Sequence, residues 1–328
     1  MSQQPITLDQ LCPLHDDHRP QLRKILVVVD PTASTHPCVQ KAARIAQACG
    51  AALELYMCDA ERDLPLGWNQ GEDHRAQRET RRAGLLSALE RLAEPLRAAG
   101  LVVRTECEWS VPLEHGIGQH VIRTRPDLVV KDTHHHELTP THGSVALTDW
   151  TLIRLLDVPL LLVKPDPWPA RLRITVGVDP CRPAERPVAL DESMLLLGEV
   201  LEKALRANLD IVHVLRPPPH LPGESISLDD KHREHTSARQ AVERLVEDRT
   251  ERGSSLLIQF VEGSAGPSIV EFARRHAPDL IILGAAARPR WAHAGASGTA
   301  AQVLGDLKSD LLVVKPPGFV SPLLDRGE

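Results

Sequence analysis

The apolar residues of this chain fall into two kinds of segment, which alternate from residue 22 onward. Short runs are apolar at every position and rich in Val, Ile and Leu, as in residues 25–29 and 174–178. Longer segments repeat their apolar residues every three or four positions, as in residues 39–49. A strand that is apolar on both faces is typical of a parallel sheet covered by helices on both sides. The alternation therefore predicts an α/β fold of doubly wound parallel sheets flanked by helices, similar to a Rossmann fold.

The same reasoning places ten strands and eight helices along the chain. The predicted strands span residues 25–29, 51–58, 101–108, 127–131, 160–163, 174–178, 209–214, 256–261, 280–283 and 311–314. The predicted helices span residues 39–49, 73–99, 112–123, 148–156, 190–207, 230–252, 267–276 and 299–307. Gly50 follows the first helix and is expected to end it, because glycine accepts the left-handed conformation found there.

Three sequence motifs occur twice, in the same order and about 150 residues apart. They are KILVVVDP and RITVGVDP, PDLVV and PDLII, and VPLLLVKP and SDLLVVKP, which begin at residues 24 and 173, 126 and 278, and 158 and 309. Such a repeat predicts two tandem copies of one domain, each with its own five-stranded sheet. We place an N-terminal tail at 1–21, copy one at 22–166, copy two at 171–317 and a C-terminal tail at 318–328, with a proline-stiffened linker between the copies.

Composition excludes several classes of function. A formal net charge of −6 and an aromatic fraction of 3% argue against a nucleic-acid partner. Neither a long apolar run nor a signal peptide is visible, so we expect no membrane partner. The six cysteines form no CxxC pair and mostly stand singly in apolar segments. This pattern favours free thiols in a reducing cytoplasm over disulfides or a zinc site, and we therefore predict a cytoplasmic protein.

Ligand sites of such sheets lie at the carboxyl ends of the strands, where the strand order reverses. Asp30 and Asp179 follow the first strand of each copy, and each precedes a proline. Such a carboxylate can accept hydrogen bonds from a ribose or an adenine amine. Equally, an Asp-Pro pair can simply start the turn toward the helix. The residues alone leave both interpretations open.

The loop after the fourth strand differs between the copies. In copy two it begins at Gly284, is rich in glycine and alanine, and enters a helix through Ser297, Gly298 and Thr299. Small residues at a helix start can hold a phosphate, with Arg288 or Arg290 as a cation. The alternative is that Gly284 makes a turn and Ser297 caps the helix.

In copy one an acid, Asp132, replaces this glycine, and it is followed by His134, His135, His136, Glu137 and His142. Carboxylates would repel phosphate. Four histidines within nine residues invite a metal interpretation, but adjacent histidine side chains converge poorly on one ion. We therefore expect no metal site here, nor at the histidines of the N-terminal tail, His15 and His18.

Several nucleotide and hydrolase motifs are absent from the sequence. No GxGxxG follows the first strand, and no GxxxxGK(S/T) or GxSxG is found. A dinucleotide-dependent enzyme, a P-loop ATPase and an α/β-hydrolase are therefore disfavoured.

In combination, the repeated VDP, PDL and LVxKP motifs resemble the universal stress protein family in its tandem form. The resemblance covers about residues 22–317. It implies two domains that pack through their fifth strands as a pseudo-dimer, with a homodimer of the whole chain as a further option. It also implies an ATP motif, G-x2-G-x9-G-(S/T), after the fourth strand.

Aligned on copy two from Gly284, this motif is incomplete. Its second glycine falls on Ala287 and its third on Ser297, with Gly298 at the Ser/Thr position, whereas a shift of one residue aligns Gly298 and Thr299. Copy one lacks the motif. The resemblance thus implies at most one ATP-type adenine nucleotide, with its Mg²⁺, held in copy two by Gly284, Ala287, Ser297, Gly298 and Thr299, while Asp179 contacts the nucleoside.

We therefore predict a stress-response regulatory protein that binds a ligand and has no catalytic residues. Two alternatives remain. One is a slow ATP or phosphoester hydrolase, for which His293 is the candidate base in copy two. The other is a binder of an apolar small molecule or of a protein partner.

Overall fold

The computed structural model describes residues 20–59, 72–133, 143–181, 188–216, 227–249, 256–285 and 299–324. Copy one contains β1 Lys24–Val28, α1 Pro37–Cys49, β2 Ala52–Asp59, α2 Glu72–Ala98, β3 Val103–Trp109, α3 Leu113–Thr124, β4 Leu128–Asp132, α4 Gly143–Leu155 and β5 Leu160–Val163. Copy two contains β6 Arg173–Gly177, α5 Val188–Leu205, β7 Asn208–Leu215, α6 Leu228–Arg249, β8 Leu257–Glu262, α7 Ala265–His276, β9 Leu280–Gly284, α8 Thr299–Val303 and β10 Asp310–Val314.

Each copy forms a five-stranded parallel sheet, and the two sheets join into one. The strand order is β3-β2-β1-β4-β5-β10-β9-β6-β7-β8. Within each copy the order is therefore third, second, first, fourth, fifth, and the first and fourth strands lie side by side. This confirms the predicted pair of doubly wound α/β sheets. In each half the order reverses between the first and fourth strands, and sheets of this kind bind ligands at the carboxyl ends of the strands beside that point.

The two copies meet at their fifth strands. β5 and β10 pair antiparallel, with Leu161 opposite Leu312 at the centre. Antiparallel pairing follows because the second copy is turned about a local twofold axis relative to the first. Apolar strand ends that would otherwise form an open edge are thereby buried in the middle of a ten-stranded sheet.

Two hydrophobic cores cover the two faces of this sheet, and each runs through both copies. One packs α1, α2, α5 and α6 against the sheet and includes Ile45, Leu89 and Val246. The other packs α3, α4, α7 and α8 and includes Val121 and Ile269. Because both faces are covered, the strands carry the continuous apolar runs seen in the sequence.

The repeated Pro-Asp motif has a structural role in both copies. Asp127 accepts hydrogen bonds from the backbone N–H groups of Arg23 and Lys24, both at 2.8 Å. Asp279 accepts one from the N–H of Arg173, also at 2.8 Å. In each copy the aspartate before the fourth strand thus ties the start of that strand to the start of the first.

A buried ionic cluster lies where the two copies join. The Asp310 carboxylate is 2% exposed and lies 2.8 Å from the Lys41 Nζ of copy one. It also accepts the Lys164 N–H at 2.7 Å and the Trp168 Nε1–H at 2.6 Å. Burial raises the pKa of Asp310, while these three partners favour its ionised form. We call Asp310, Lys41, Lys164 and Trp168 the seam cluster.

Three details differ from or extend the sequence prediction. The last helix ends at Val303, not Leu307, and residues 304–306 form a turn. Helix α4 begins at Gly143, five residues before Thr148. Within the described residues, no helix combines the length and apolarity needed to cross a membrane.

Part of the predicted C-terminal tail packs on copy one. A methyl group added at Gly118 in α3 would lie 2.3 Å from Leu323 Cδ1, so the leucine fills space that only a glycine leaves open. The segment after β10 therefore contacts the other copy as well as its own.

Candidate functional site

A cleft opens at the carboxyl ends of β6, β7 and β9 in copy two. The space in and in front of it amounts to about 370 Å³, a volume that includes open solvent. Its walls combine small or apolar residues with one acid, one cation and one hydroxyl. They are Gly177, Val178, Asp179, Val212, Val214, Arg216, Ala265, Ile269, Leu283, Gly284 and Thr299. The cleft therefore lies at the predicted crevice and suits a ligand with an apolar part and a polar part.

Asp179 and Arg216 form an ion pair in this cleft. Asp179 lies just after β6 and Arg216 just after β7, and Arg216 Nη2 is 3.0 Å from Asp179 Oδ2. The backbone N–H of Asp179 donates to Asp191 of α5 at 3.1 Å, which holds the strand end in place. The pair gives the cleft a positive and a negative group next to each other.

Gly284 and Thr299 form the opposite side of the cleft. Gly284 is the last residue of β9 and pairs with Val314 of β10. Thr299 is the first residue of α8. Three predicted site residues, Asp179, Gly284 and Thr299, thus line one cleft. The other three, Ala287, Ser297 and Gly298, lie outside the described residues.

Sequence reasoning missed three polar residues near Asp179. Arg216 is the first, and His213 and Cys181 are the others: one ligand atom from each of Asp179, Cys181 and His213 lies within 4.8 Å of the other two. The available signal was weak. Both Arg216 and His213 come from β7 or its end, and they meet Asp179 only because β7 pairs with β6 in this register.

At the corresponding strand ends of copy one, two carboxylates, Asp132 and Asp30, are engaged by neighbouring backbone and side-chain groups. Asp132 ends β4 at the place of Gly284, is 3% exposed, and accepts the backbone N–H of Cys38 at 2.7 Å. Asp30 accepts both the N–H and the hydroxyl of Thr32, at 2.8 and 2.7 Å. Asp30 therefore stabilises the turn after β1, as the structural interpretation of the Asp-Pro pair expected. The histidines 134–136 lie outside the described residues.

Burial and the adjacent carboxylate also affect a thiol in this crevice. The pKa of Cys38 lies well above its ordinary value because the thiol is buried and Asp132 disfavours a thiolate. Next to it, Lys131 Nζ is 2.8 Å from Asp149 of α4. Copy one therefore has a buried carboxylate, Asp132, at the position where copy two has Gly284, with a protonated thiol beside it.

Copy one instead carries a buried polar network on the other side of β2. His120 of α3 is fully buried, lies 2.7 Å from Glu54, and stacks on Tyr56 with ring centroids 4.0 Å apart. Lys24 Nζ lies 2.8 Å from the other oxygen of Glu54. Burial opposes ionisation of Glu54, but His120 and Lys24 outweigh it and lower its pKa to about 2. All of these groups satisfy one another, so the network is structural.

Two copies of a five-stranded α/β unit, joined through their fifth strands, define a tandem α/β protein. The Universal stress protein family model matches residues 21–164 and 171–315. The chain therefore belongs to the universal stress protein family, and it contains two such domains in tandem, as predicted.

Full-length relatives share this arrangement. The chain is 25% identical to universal stress protein E of Escherichia coli K12 over 92% of its length and 96% of that protein. It is 26% identical to universal stress protein E of Photorhabdus laumondii over 92% and 97%. A crystal structure of a universal stress protein from Archaeoglobus fulgidus superposes with a TM-score of 0.60 at 14% identity, covering 91% of this chain and 98% of that one. The last match supports the fold alone.

Proposed function

We propose that this protein is a cytoplasmic stress-response regulator that binds one ATP-type adenine nucleotide, with its Mg²⁺, in copy two. The relatives named universal stress protein E support the stress-response part of the proposal. The free cysteines of the described residues, among them Cys38 and Cys181, are compatible with a reducing compartment. We propose no catalytic residue.

One observation carries the choice of copy two. Gly284 ends β9 beside an open cleft, whereas Asp132 fills the same position in copy one with a buried carboxylate. A carboxylate at that place repels a phosphate, while a glycine allows the phosphate to approach the backbone. The two copies therefore share the same strand arrangement, but only copy two has a residue at this position that suits a phosphate.

The cleft residues divide between the two ends of a nucleotide. Asp179 would accept hydrogen bonds from the nucleoside, although Arg216 already engages one of its oxygens. Gly284 and Thr299, together with Ser297 and Gly298, would hold the phosphates. Ala287 adds a methyl group where the family motif has glycine, so we expect weaker binding than a complete motif gives.

Calorimetric titration with ATP and Mg²⁺ tests the proposal. We expect one binding site per chain, and we expect Gly284→Asp, which installs the residue of copy one, to weaken binding roughly tenfold or more through charge repulsion. Asp179→Asn is expected to weaken binding, whereas the matched variant Asp30→Asn in copy one is expected to leave it unchanged. No heat at millimolar nucleotide, or equal effects of the two asparagine variants, would contradict the proposal.

A phosphate-release assay separates binding from turnover. The proposal describes binding without catalysis, so we expect no multiple-turnover release of phosphate from ATP under conditions of saturated binding. Sustained release that disappears in His293→Ala would favour the hydrolase alternative instead.

A further inference from the structure

Three side chains of different chemistry converge at the end of β6. A carboxylate oxygen of Asp179, the sulfur of Cys181 and a ring nitrogen of His213 all lie within 4.8 Å of one another. Asp179 and Cys181 belong to the turn after β6, and His213 projects from the neighbouring strand β7. Thiolate, imidazole and carboxylate are the ligand types that zinc prefers.

The orientation of His213 suits a metal ligand. This residue is 3% exposed, and its Nδ1 lies 2.9 Å from the backbone carbonyl of Val178. A carbonyl oxygen only accepts, so Nδ1 carries the proton and the lone pair is on Nε2. Metal-binding histidines commonly donate their second nitrogen to a carbonyl or carboxylate, which fixes both tautomer and ring orientation.

The distances require only a small movement. Zinc bonds of about 2.0–2.3 Å place tetrahedral ligands about 3.3–3.8 Å apart, so atoms within 4.8 Å must approach by roughly 1 Å. Cys181 is exposed and lies in a turn, where the backbone can make this shift. Arg216 engages Oδ2 of Asp179, and a carboxylate has a second oxygen with which to bind an ion.

We propose that Asp179, Cys181 and His213 form a binding site for Zn²⁺ at the rim of the copy-two cleft. Thiolate and carboxylate together neutralise the charge of the ion. Three protein ligands leave a fourth coordination position for water or for an incoming anion. The site shares Asp179 with the proposed nucleotide site, but its test is separate, because zinc is expected to bind without nucleotide.

Copy one supplies the internal comparison. Asp30, Thr32 and Met57 occupy the places of Asp179, Cys181 and His213, as the shared strand register shows. Thr32 donates its hydroxyl to Asp30 in a closed turn. A hydroxyl and a thioether are poor zinc ligands, so copy one keeps the backbone of the site without its chemistry.

Zinc titration of the metal-free full-length chain, with a chromophoric chelator as competitor and without nucleotide, tests this site. Co²⁺ substitution adds a spectroscopic readout, because a thiolate ligand gives a sulfur-to-cobalt charge-transfer band. The test variants are Cys181→Thr and His213→Met, which install the residues of copy one. The matched controls are Cys49→Ser, at a half-exposed thiol far along the chain, and Cys12→Ser, the thiol nearest His15 and His18 in sequence.

We expect one zinc per wild-type chain and at least a tenfold loss of affinity in Cys181→Thr and in His213→Met, while both controls bind as wild type does. The charge-transfer band should disappear in Cys181→Thr. Because His213 is buried, circular dichroism checks that its variant is folded, and the exposed Cys181 position carries the test if it is not. Unchanged zinc affinity in Cys181→Thr, a cobalt spectrum without the thiolate band, or loss in Cys12→Ser instead would overturn the proposal.

Discussion

The two crevices of this protein lie on the same backbone framework and differ in what fills them. In copy one, Asp132 closes the end of β4 and binds the first turn of α1, while Asp30 closes on Thr32. In copy two, Gly284 ends β9 beside a cleft, and Asp179 forms an ion pair with Arg216 in the cleft wall. Strand order and register are shared, so the difference between the copies lies in the side chains at the strand ends, such as Asp132 in copy one and Gly284 in copy two.

A second difference lies under α3 and α7. At the place of the buried Glu54–His120 pair of copy one, copy two has Asp210 and Phe272, and the ring of Phe272 packs on His276. In both comparisons copy one has the more polar residue: Asp132 stands where copy two has Gly284, and His120 stands where copy two has Phe272.

The largest change in stability is expected from a substitution in the seam cluster, which differs between the two copies. Asp310 corresponds to Pro159 of copy one, so the seam cluster has no symmetric counterpart among the described residues. Asp310→Ala leaves Lys41 buried without its carboxylate. We expect the free energy of unfolding to fall by about 3–5 kcal/mol, measured by urea denaturation at neutral pH.

A double variant controls for this prediction. Lys41→Met with Asp310→Leu removes both charges and keeps apolar volume, so it should recover much of the lost stability. If Asp310→Ala alone costs less than about 1 kcal/mol, the seam cluster does not hold the copies together, and the apolar pairing of β5 with β10 is sufficient.

The fold was predictable because its signals are local. Burial on both faces leaves an apolar run in each strand, as in β1 and β6, and the repeat marks the two copies. Even the Pro-Asp motif has a common structural cause, since Asp127 and Asp279 bind the same strand start. The apolar runs thus predicted where the strands and helices lie, and the repeated motifs predicted that the two copies share one fold.

The contacts that define the site were not predictable, because they join distant positions. Arg216 meets Asp179 across 37 residues, and Lys41 meets Asp310 across 269. Such pairs depend on strand register and on the packing of the copies, and no single segment of the sequence determines either of these. By contrast, Asp179 and Gly284 were predicted because each directly follows or ends a strand of the repeat.

The second largest effect is expected in the dependence of stability on pH below neutrality, where buried acids of the two copies should act in opposite directions. In the folded protein the pKa of Glu54 lies at about 2, below its ordinary 4.5, so the stabilisation is present above about pH 4.5 and is lost as pH falls toward 2. A shift of this size corresponds to about 3 kcal/mol. Glu54→Gln should therefore lower stability at neutral pH and flatten the acid limb, measured by thermal unfolding between pH 2 and pH 7.

Asp210 is the matched control, because it occupies the same place in copy two and its pKa shifts the other way. Burial raises the pKa of Asp210, so its protonation adds stability as pH falls. Asp210→Asn removes that gain and should steepen the acid limb slightly. Parallel acid limbs in Glu54→Gln and the wild type would show that the network of copy one does not set the acid response.

The smallest effect is expected when the crevice of copy one is given the residue of copy two. Asp132→Gly removes the acceptor of the Cys38 N–H at the start of α1, which should cost about 1 kcal/mol, as the loss of a helix cap does. Asp132→Asn keeps an acceptor oxygen and should cost less. Neither variant is expected to create a nucleotide site in copy one, as measured by calorimetry, because Asp30 remains engaged with Thr32 and the other small residues of the copy-two loop are missing. A second equivalent of bound ATP in Asp132→Gly would mean that the one carboxylate was all that closed the crevice.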